Sequence, residues 1–213
     1  MINVLYEDNH IIVVLKPVNV PTCPDSSGDL DLLSIIKKYL EEKYNKKNAF
    51  VGLVHRLDRP VGGVMVFAKT SKAASRLSNL IREKKFYKKY YAVICGNINE
   101  NGKYIDKIEK NNKTNTSFIS DKGKLCILEY KRIKMNNKFS LVSIDLKTGR
   151  SHQIRVQFSY HGFPLYGDQK YNKKANVHEQ IALFAYSLTF LHPVKKEEMT
   201  FCVPLPDVYP FNF

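Results

Sequence analysis

Two short apolar, β-rich runs open the chain, residues 2–6 and 10–16, and the Glu7-Asp8-Asn9 break between them predicts a hairpin. Lys16-Pro17 ends the second run, because proline has no N–H to give to a strand ladder. Residues 21–28, rich in Pro, Ser and Asp, are predicted as loop. Leu32, Leu33, Ile36 and Leu40 then recur at helical spacing, with Lys37, Lys38, Glu41 and Glu42 on the other face. They predict a helix over residues 30–44. Residues 50–54 and 64–68 are predicted strands on either side of the polar segment His55-Arg56-Leu57-Asp58-Arg59. Thr70-Ser71 opens a second helix whose apolar face is Ala73, Ala74, Leu77, Leu80 and Ile81.

Beyond that helix the pattern turns strand-like. Residues 86–95, 114–120, 125–133 and 139–146 are predicted strands with Asn, Gly or Lys breaks, and successive strands with short breaks favour antiparallel neighbours. Ser151 opens a helix to about residue 161, with Gly162 as its stop, and strands at 183–190 and 199–203 finish the chain. The sum is an α+β fold, a mainly antiparallel mixed β-sheet with a few packed helices. A length of 213 residues suits one domain with a real core, expected to span 1–213.

Charge adds a partner. Against 20 Asp+Glu stand 34 Lys+Arg, a net +14. A soluble chain this basic meets a polyanion, because Lys and Arg displace counterions from phosphates, although a lysine-rich proteome would also leave a cationic surface. Cys23, Cys95, Cys126 and Cys202 form no C-x-x-C pair and have no histidine at metal-finger spacing. They read as reduced thiols, so the expected location is the cytosol, with no metal. The N-terminus has neither a basic n-region nor a long apolar stretch, so no membrane association is expected.

Two clusters carry candidate chemistry. The segment VHRLDRPVGG, residues 54–63, places Asp58 between two arginines and three residues after a histidine. A nearby cation keeps a carboxylate ionised when it is partly desolvated, which a nucleophilic carboxylate needs. A structural salt bridge in a turn is the competing explanation. The segment LKTGRSHQIRVQF, residues 146–158, has Gly149 for a tight turn and Arg150 beside a helix start, where phosphates bind. Arg155 lies among Ile154, Val156 and Phe158. If buried it needs a carboxylate, with Asp58 and Asp145 as candidates; otherwise it is a surface arginine on an amphipathic helix.

Both clusters, in this order, resemble the RluA family of pseudouridine synthases, and the resemblance covers nearly the whole chain. Ile12-Val13-Val14-Leu15-Lys16-Pro17 is similar to the family's opening strand, and His55-Arg56-Leu57-Asp58-Arg59 to its catalytic motif. Lys88-Lys89-Tyr90-Tyr91-Ala92-Val93-Ile94-Cys95-Gly96 resembles its Lys-x-Tyr-x-Ala-x-Val-x-Gly strand. Thr148-Gly149-Arg150-Ser151-His152-Gln153-Ile154-Arg155-Val156 matches its third motif, and Gly162-Phe163-Pro164-Leu165-Tyr166-Gly167-Asp168 and Leu191-His192-Pro193 its C-terminal landmarks. The resemblance implies isomerisation of uridine to pseudouridine in ribosomal or transfer RNA. That reaction changes no oxidation state, so no cofactor is expected; a uridine in a loop or bulge costs least to extrude, and a monomer is expected. The resemblance makes Asp58 the catalytic aspartate, Tyr90 the base for the C5 proton and Arg155 the salt-bridge partner of Asp58. Arg56 fills the gap left by the flipped uridine, and His55, Arg59, Arg150, His152 and Gln153 join it in contacting RNA.

Some positions depart from the family pattern. Gly62 stands where a hydroxyl-bearing residue is usual, Ser151 replaces a commoner threonine, Gln157 a commoner histidine, and Lys195-Lys196 a Thr-Gly turn. These bear on substrate choice. The chain starts directly at the catalytic domain, so no separate N-terminal RNA-binding domain of S4 type is expected. Two rival functions compete. A non-catalytic basic RNA-binding or ribosome-associated protein explains the charge but not the set Asp58, Tyr90 and Arg155. A glycoside hydrolase wants two carboxylates flanking the bond, and Asp58 has none beside it in its motif. His10, His161, His178, His192 and Asp168 read as structural.

Overall fold

The computed structural model of the protein describes residues 2–213. In chain order the elements are β1 (Asn3–Glu7), β2 (Ile11–Lys16), α1 (Leu32–Lys43), β3 (Gly52–Leu53), β4 (Gly62–Ala68), α2 (Ser71–Arg82) and β5 (Phe86–Cys95). There follow β6 (Asn101–Asn111), β7 (Thr116–Ile119), β8 (Lys124–Met135), β9 (Phe139–Leu146), α3 (Gln153–Tyr160), β10 (Leu183–Leu191) and β11 (Glu198–Cys202). The α+β class expected from the sequence is therefore the class observed. The chain forms two compact units. The first runs as far as Phe86 and regains Ser187–Val203, and the second takes Tyr87–Tyr186 and Pro204–Phe213.

In the first unit the strand order is β1-β2-β4-β10, with β3 added to β4 and β11 to β10. The hairpin of β1 and β2 is antiparallel, and so are the pairs β2–β4, β3–β4 and β10–β11. Strand β2 is apolar at nearly every position because both neighbours and both faces cover it. Its Ile11 and Val13 join Val64, Val66 and Ala68 of β4, Ala73 and Leu77 of α2, and Leu188 and Phe190 of β10 in one core. Helix α2 is capped by Thr70, whose hydroxyl accepts from Ala73 N–H at 3.2 Å. Helix α1 buries Leu32, Ile36 and Leu40, and Asp31 caps it by accepting from Ser34 N–H at 3.1 Å.

In the second unit the order is β5-β9-β8-β6-β7, and each adjacent pair is antiparallel. Strand β6 was not expected: its sequence NGKYIDKIEKN is mostly polar, and only Tyr104 and Ile108 are buried. It is a strand because β8 pairs with it over Asn101 to Ile108 and β7 over Ile108 to Asn111, so partners rather than propensity fix it. The strand expected over residues 50–54 shrinks to Gly52–Leu53. Helix α3 buries Gln153, Ile154, Arg155, Val156, Gln157 and Phe158 in succession. Three of those six are polar, so each must find partners inside the protein. The helix ends as expected, with Gly162 just beyond it at φ 85.

Glu7 fastens the end of β1. Its carboxylate accepts from Lys43 Nζ at 2.7 Å, Lys69 Nζ at 2.6 Å, Tyr44 Oη at 2.7 Å and Tyr39 Oη at 3.1 Å. Burial alone would raise this carboxyl, but the hydrogen bonds from Lys43, Lys69 and Tyr44 and the charge of Lys69 outweigh it and draw it down to about 2. A carboxyl lowered on folding contributes stability above its ordinary value of 4.5 and loses it as pH falls toward 2. Glu7→Gln is therefore expected to cost about 3 kcal/mol at neutral pH. That difference should close as pH falls from 4.5 to 2, measured by urea unfolding. A penalty that persists at acid pH would show that shape, not charge, is what Glu7 provides.

Candidate active site

The polar segment 55–59 lies in the first unit, between β3 and β4, and its backbone is held by two buried side chains. Lys16 ends β2, is 1% exposed, and gives all three ammonium protons to carbonyls: Val61 O at 2.7 Å, Arg59 O at 3.0 Å and Pro17 O at 3.0 Å. Thr22 donates its hydroxyl to Leu57 O at 2.8 Å. Val61 N–H closes the turn on Asp58 O at 2.9 Å. The backbone on both sides of Asp58 is thus fastened to the strand core, which presets where the carboxylate can go. Asp58 is half-buried.

The neighbours of Asp58 divide. Arg56 is exposed and forms no ion pair among the described residues. Arg59 is exposed too, and its guanidinium reaches Asp29 and, at 3.0 Å, Ser27 Oγ. His55 faces inward: its Nε2 accepts from Val66 N–H at 3.2 Å, and its ring packs edge-on to Phe86 at 5.2 Å. Through this hydrogen bond His55 supports the backbone of β4.

In the second unit β5 carries Tyr90, buried and opposite Ile144 of β9. The turn after β9 leads into α3, which carries Arg155, 6% exposed. Arg155 grips a carboxylate that the sequence did not nominate. Its Nε donates to Asp168 Oδ2 at 2.9 Å and its Nη2 to Asp168 Oδ1 at 2.7 Å, a bidentate pair, and its guanidinium lies over the Tyr171 ring at 5.1 Å. The other nominated carboxylate, Asp145, is taken by Lys147 at 2.5 Å. Asp168, read from the sequence as structural, and Tyr171 were not named as partners of Arg155. The available signal was the requirement of a buried arginine for a carboxylate, met 13 residues downstream, where Gly167 takes a φ of 68.

Tyr171 also binds His152. That histidine stands at the amino end of α3 with a left-handed φ of 54, and its Nδ1 lies 2.7 Å from Tyr171 Oη. The same phenol oxygen accepts from Ser117 N–H at 2.7 Å. Gln153, expected at the RNA surface, is 2% exposed and uses its whole amide internally. Its Oε1 accepts from Thr148 Oγ1 at 2.8 Å and Arg150 N–H at 3.1 Å, and its Nε2 donates to Ile127 O at 3.2 Å and Gln157 Oε1 at 3.0 Å. Gln153 is therefore the brace of the turn 148–150. Gln157 continues the chain, donating to Asp106 Oδ2 at 2.6 Å, and His161 Nε2 lies 3.2 Å from the same oxygen. Arg150 is exposed.

Burial draws the Lys16 ammonium down to about 8, against an upward pull from Asp58 and with a further push from Arg59. The unfolded chain holds that proton up to 10.5, so between the two values it binds more protons than the folded one, and folding gains as pH rises. Lys16→Met lacks this linkage. The stability advantage of the wild type over Lys16→Met is expected to widen by up to about 3 kcal/mol across that window, in urea titrations at each pH. A gap that stays constant over the window would contradict a buried, charged Lys16.

No helix among the described residues is long and apolar enough to cross a membrane, and no group of three or more His, Cys, Asp or Glu side chains among them is placed to hold a metal ion. The family described as RNA pseudouridylate synthase matches residues 10–160. Ribosomal large subunit pseudouridine synthase C of Buchnera aphidicola subsp. Schizaphis graminum is 33% identical over 99% of this chain and 69% of its own length. Ribosomal large subunit pseudouridine synthase D of Borreliella burgdorferi is 33% identical over 87% of this chain and 59% of its own. The chain thus spans between 59% and 69% of the length of these two relatives. Among solved structures, the fold is similar to that of Human RNA Pseudouridylate Synthase Domain Containing 4, with a TM-score of 0.80 at 22% identity over 96% of this chain and 89% of that one. The segment that carries Asp58 and the strand that carries Tyr90 both fall inside the matched residues, and the chain belongs to the RNA pseudouridylate synthase family.

Proposed function

We propose that the chain isomerises a specific uridine in ribosomal RNA to pseudouridine, with Asp58 as the catalytic carboxylate. The observation that carries this reading is the fixed Asp58 turn in a chain of this family: Lys16 and Thr22 hold the backbone around one carboxylate. Two relatives whose names specify the large ribosomal subunit favour ribosomal over transfer RNA. The N1–C1′ bond of the uridine breaks, the uracil turns, and C5 bonds to C1′. C5 then gives up its proton and N1 gains one, so the reaction is redox-neutral. Asp58 acts on the sugar, as nucleophile or as base. Tyr90 takes the C5 proton, and Arg155 serves as the ion-pair partner of the acid, as the resemblance implies. Arg56, exposed next to this turn, takes the place vacated by the flipped base, and an unpaired uridine is the cheapest to extrude. The surplus of basic residues draws the RNA in. The enzyme works as a monomer in the cytoplasm.

Asp58→Asn keeps the size of the side chain and removes its charge and nucleophile. Pseudouridine yield is expected to fall to background while RNA affinity and the thermal midpoint stay near wild type. The two rival explanations give other patterns. A salt bridge in a turn predicts that activity falls only as far as the folded fraction does. A non-catalytic binding protein predicts no pseudouridine from the wild type either. A folded, RNA-binding Asp58→Asn that still turns over at a substantial rate would sink the assignment.

Arg56→Ala is expected to slow base extrusion, read by a fluorescent base analogue beside the target uridine, with a smaller effect on affinity. Unchanged extrusion together with weaker binding would instead make Arg56 a phosphate contact.

A further inference from the structure

Strand β5 buries Tyr90, Ala92 and Ile94 on one face and exposes Tyr87 and Lys89 on the other. By this alternation Lys88 belongs to the inner face, where it is only partly exposed. Among the described residues its ammonium meets no carboxylate and no hydrogen-bond acceptor. Burial lowers its pKa, and no neighbouring charge opposes the shift. A desolvated cation without a counter-ion is costly, so such a group either marks a defect or awaits an anion.

The position of the ammonium favours the second. It lies against Gly149, where an added Cβ would come within 2.7 Å of Lys88 Nζ. Gly149 is not among the glycines with positive φ, so its bare backbone serves this close approach and not a left-handed turn. The turn itself is braced by the Gln153 amide, which fixes Thr148 and Arg150 on either side. Arg150 is exposed and forms no ion pair among the described residues. Two uncompensated cations therefore adjoin one rigid, side-chain-free residue.

We propose that Lys88, over Gly149, and the adjoining Arg150 form a seat for a backbone phosphate of the substrate RNA. The phosphate is that of the target nucleotide or its immediate neighbour. Tyr90 stands on the same strand face two residues along, about 7 Å away. A nucleotide's base and its own phosphate span a comparable distance, so a base at Tyr90 brings its phosphate to Lys88. The proposal rests on the reading of the chain as an RNA-modifying enzyme and assigns Lys88 to substrate binding alone. An exposed lysine would be one of many interchangeable charges, whereas Lys88 is desolvated and lies against a single residue, Gly149.

The test uses the full chain and an unmodified transcript of large-subunit ribosomal RNA. Lys88→Met should bind more weakly and lower the slope of log affinity against log salt by about 0.7, the share of one phosphate. KM should rise several-fold with kcat little changed, and Lys88→Arg should recover much of the loss. Because Lys88→Met removes an uncompensated charge, its thermal midpoint should equal or exceed the wild type, whereas a structural lysine would lower it. Gly149→Ala, which crowds the ammonium, should reproduce the binding loss and serves if Lys88→Met does not fold. Unchanged salt slope and KM in these variants, with an active wild type, would overturn the seat and leave the enzymatic reading intact. A wild type that binds the transcript without making pseudouridine, while Lys88→Met still lowers the slope, would overturn the enzymatic reading and keep the seat. A wild type that does not bind the transcript overturns both.

Discussion

The ammonium of Lys16 is the interaction on which the candidate site most depends. A lysine at the end of an apolar strand would ordinarily turn outward to water. Here it turns in, and its three protons meet three backbone carbonyls, two of them in the turn that follows Asp58. Carbonyl dipoles replace the water shell without a full counter-charge, which leaves the ammonium easier to deprotonate than usual. The cost is local and the gain is geometric. The Asp58 turn cannot drift without stripping a buried cation of its acceptors, so the order of the strand core passes into the loop.

The second unit uses the same economy with different groups. Helix α3 faces inward at consecutive positions, and its polar residues are satisfied pairwise: Arg155 by Asp168, Gln153 by the turn before the helix, Gln157 by Asp106. A bidentate arginine–carboxylate pair restricts the guanidinium to one plane, and the Tyr171 ring beneath it restricts it further. The left-handed backbone at His152 is tolerated because Tyr171 and the helix hold that residue from both sides.

Much of this was legible beforehand, and the failures have physical causes. Strands β2 and β4 announced themselves because a run of apolar residues between strand neighbours has few alternatives. Helices α1 and α2 did so because Leu32, Ile36 and Leu40, like Ala73 and Leu77, keep helical spacing. Strand β6 was illegible because its residues are polar and its conformation is imposed by β8. The motif around Asp58 stood out as a dense polar cluster, yet its anchors did not. Lys16 looks like the charged end of a strand, and nothing local says that its head group turns inward. Gln153 was misplaced because a polar residue in a motif suggests a surface, whereas the burial of α3 on nearly all sides is a tertiary property. Asp168 escaped as the partner of Arg155 because pairing over a loop is set by the fold and not by spacing.

The hydrogen-bond chain along α3 has a direction. Thr148 donates to Gln153, Gln153 to Gln157, and Gln157 to Asp106, a carboxylate that can only accept. Neither amide can flip without setting donor against donor, so the orientation of both is dictated by the acid at the end. Their carboxamide protons are shielded by the helix they belong to, and they meet solvent only when that helix lifts from its seat. The molecule thereby carries a built-in spectroscopic gauge. The exchange lifetimes of two glutamine side chains report how often the element bearing Arg155 opens, with no label added to the site itself.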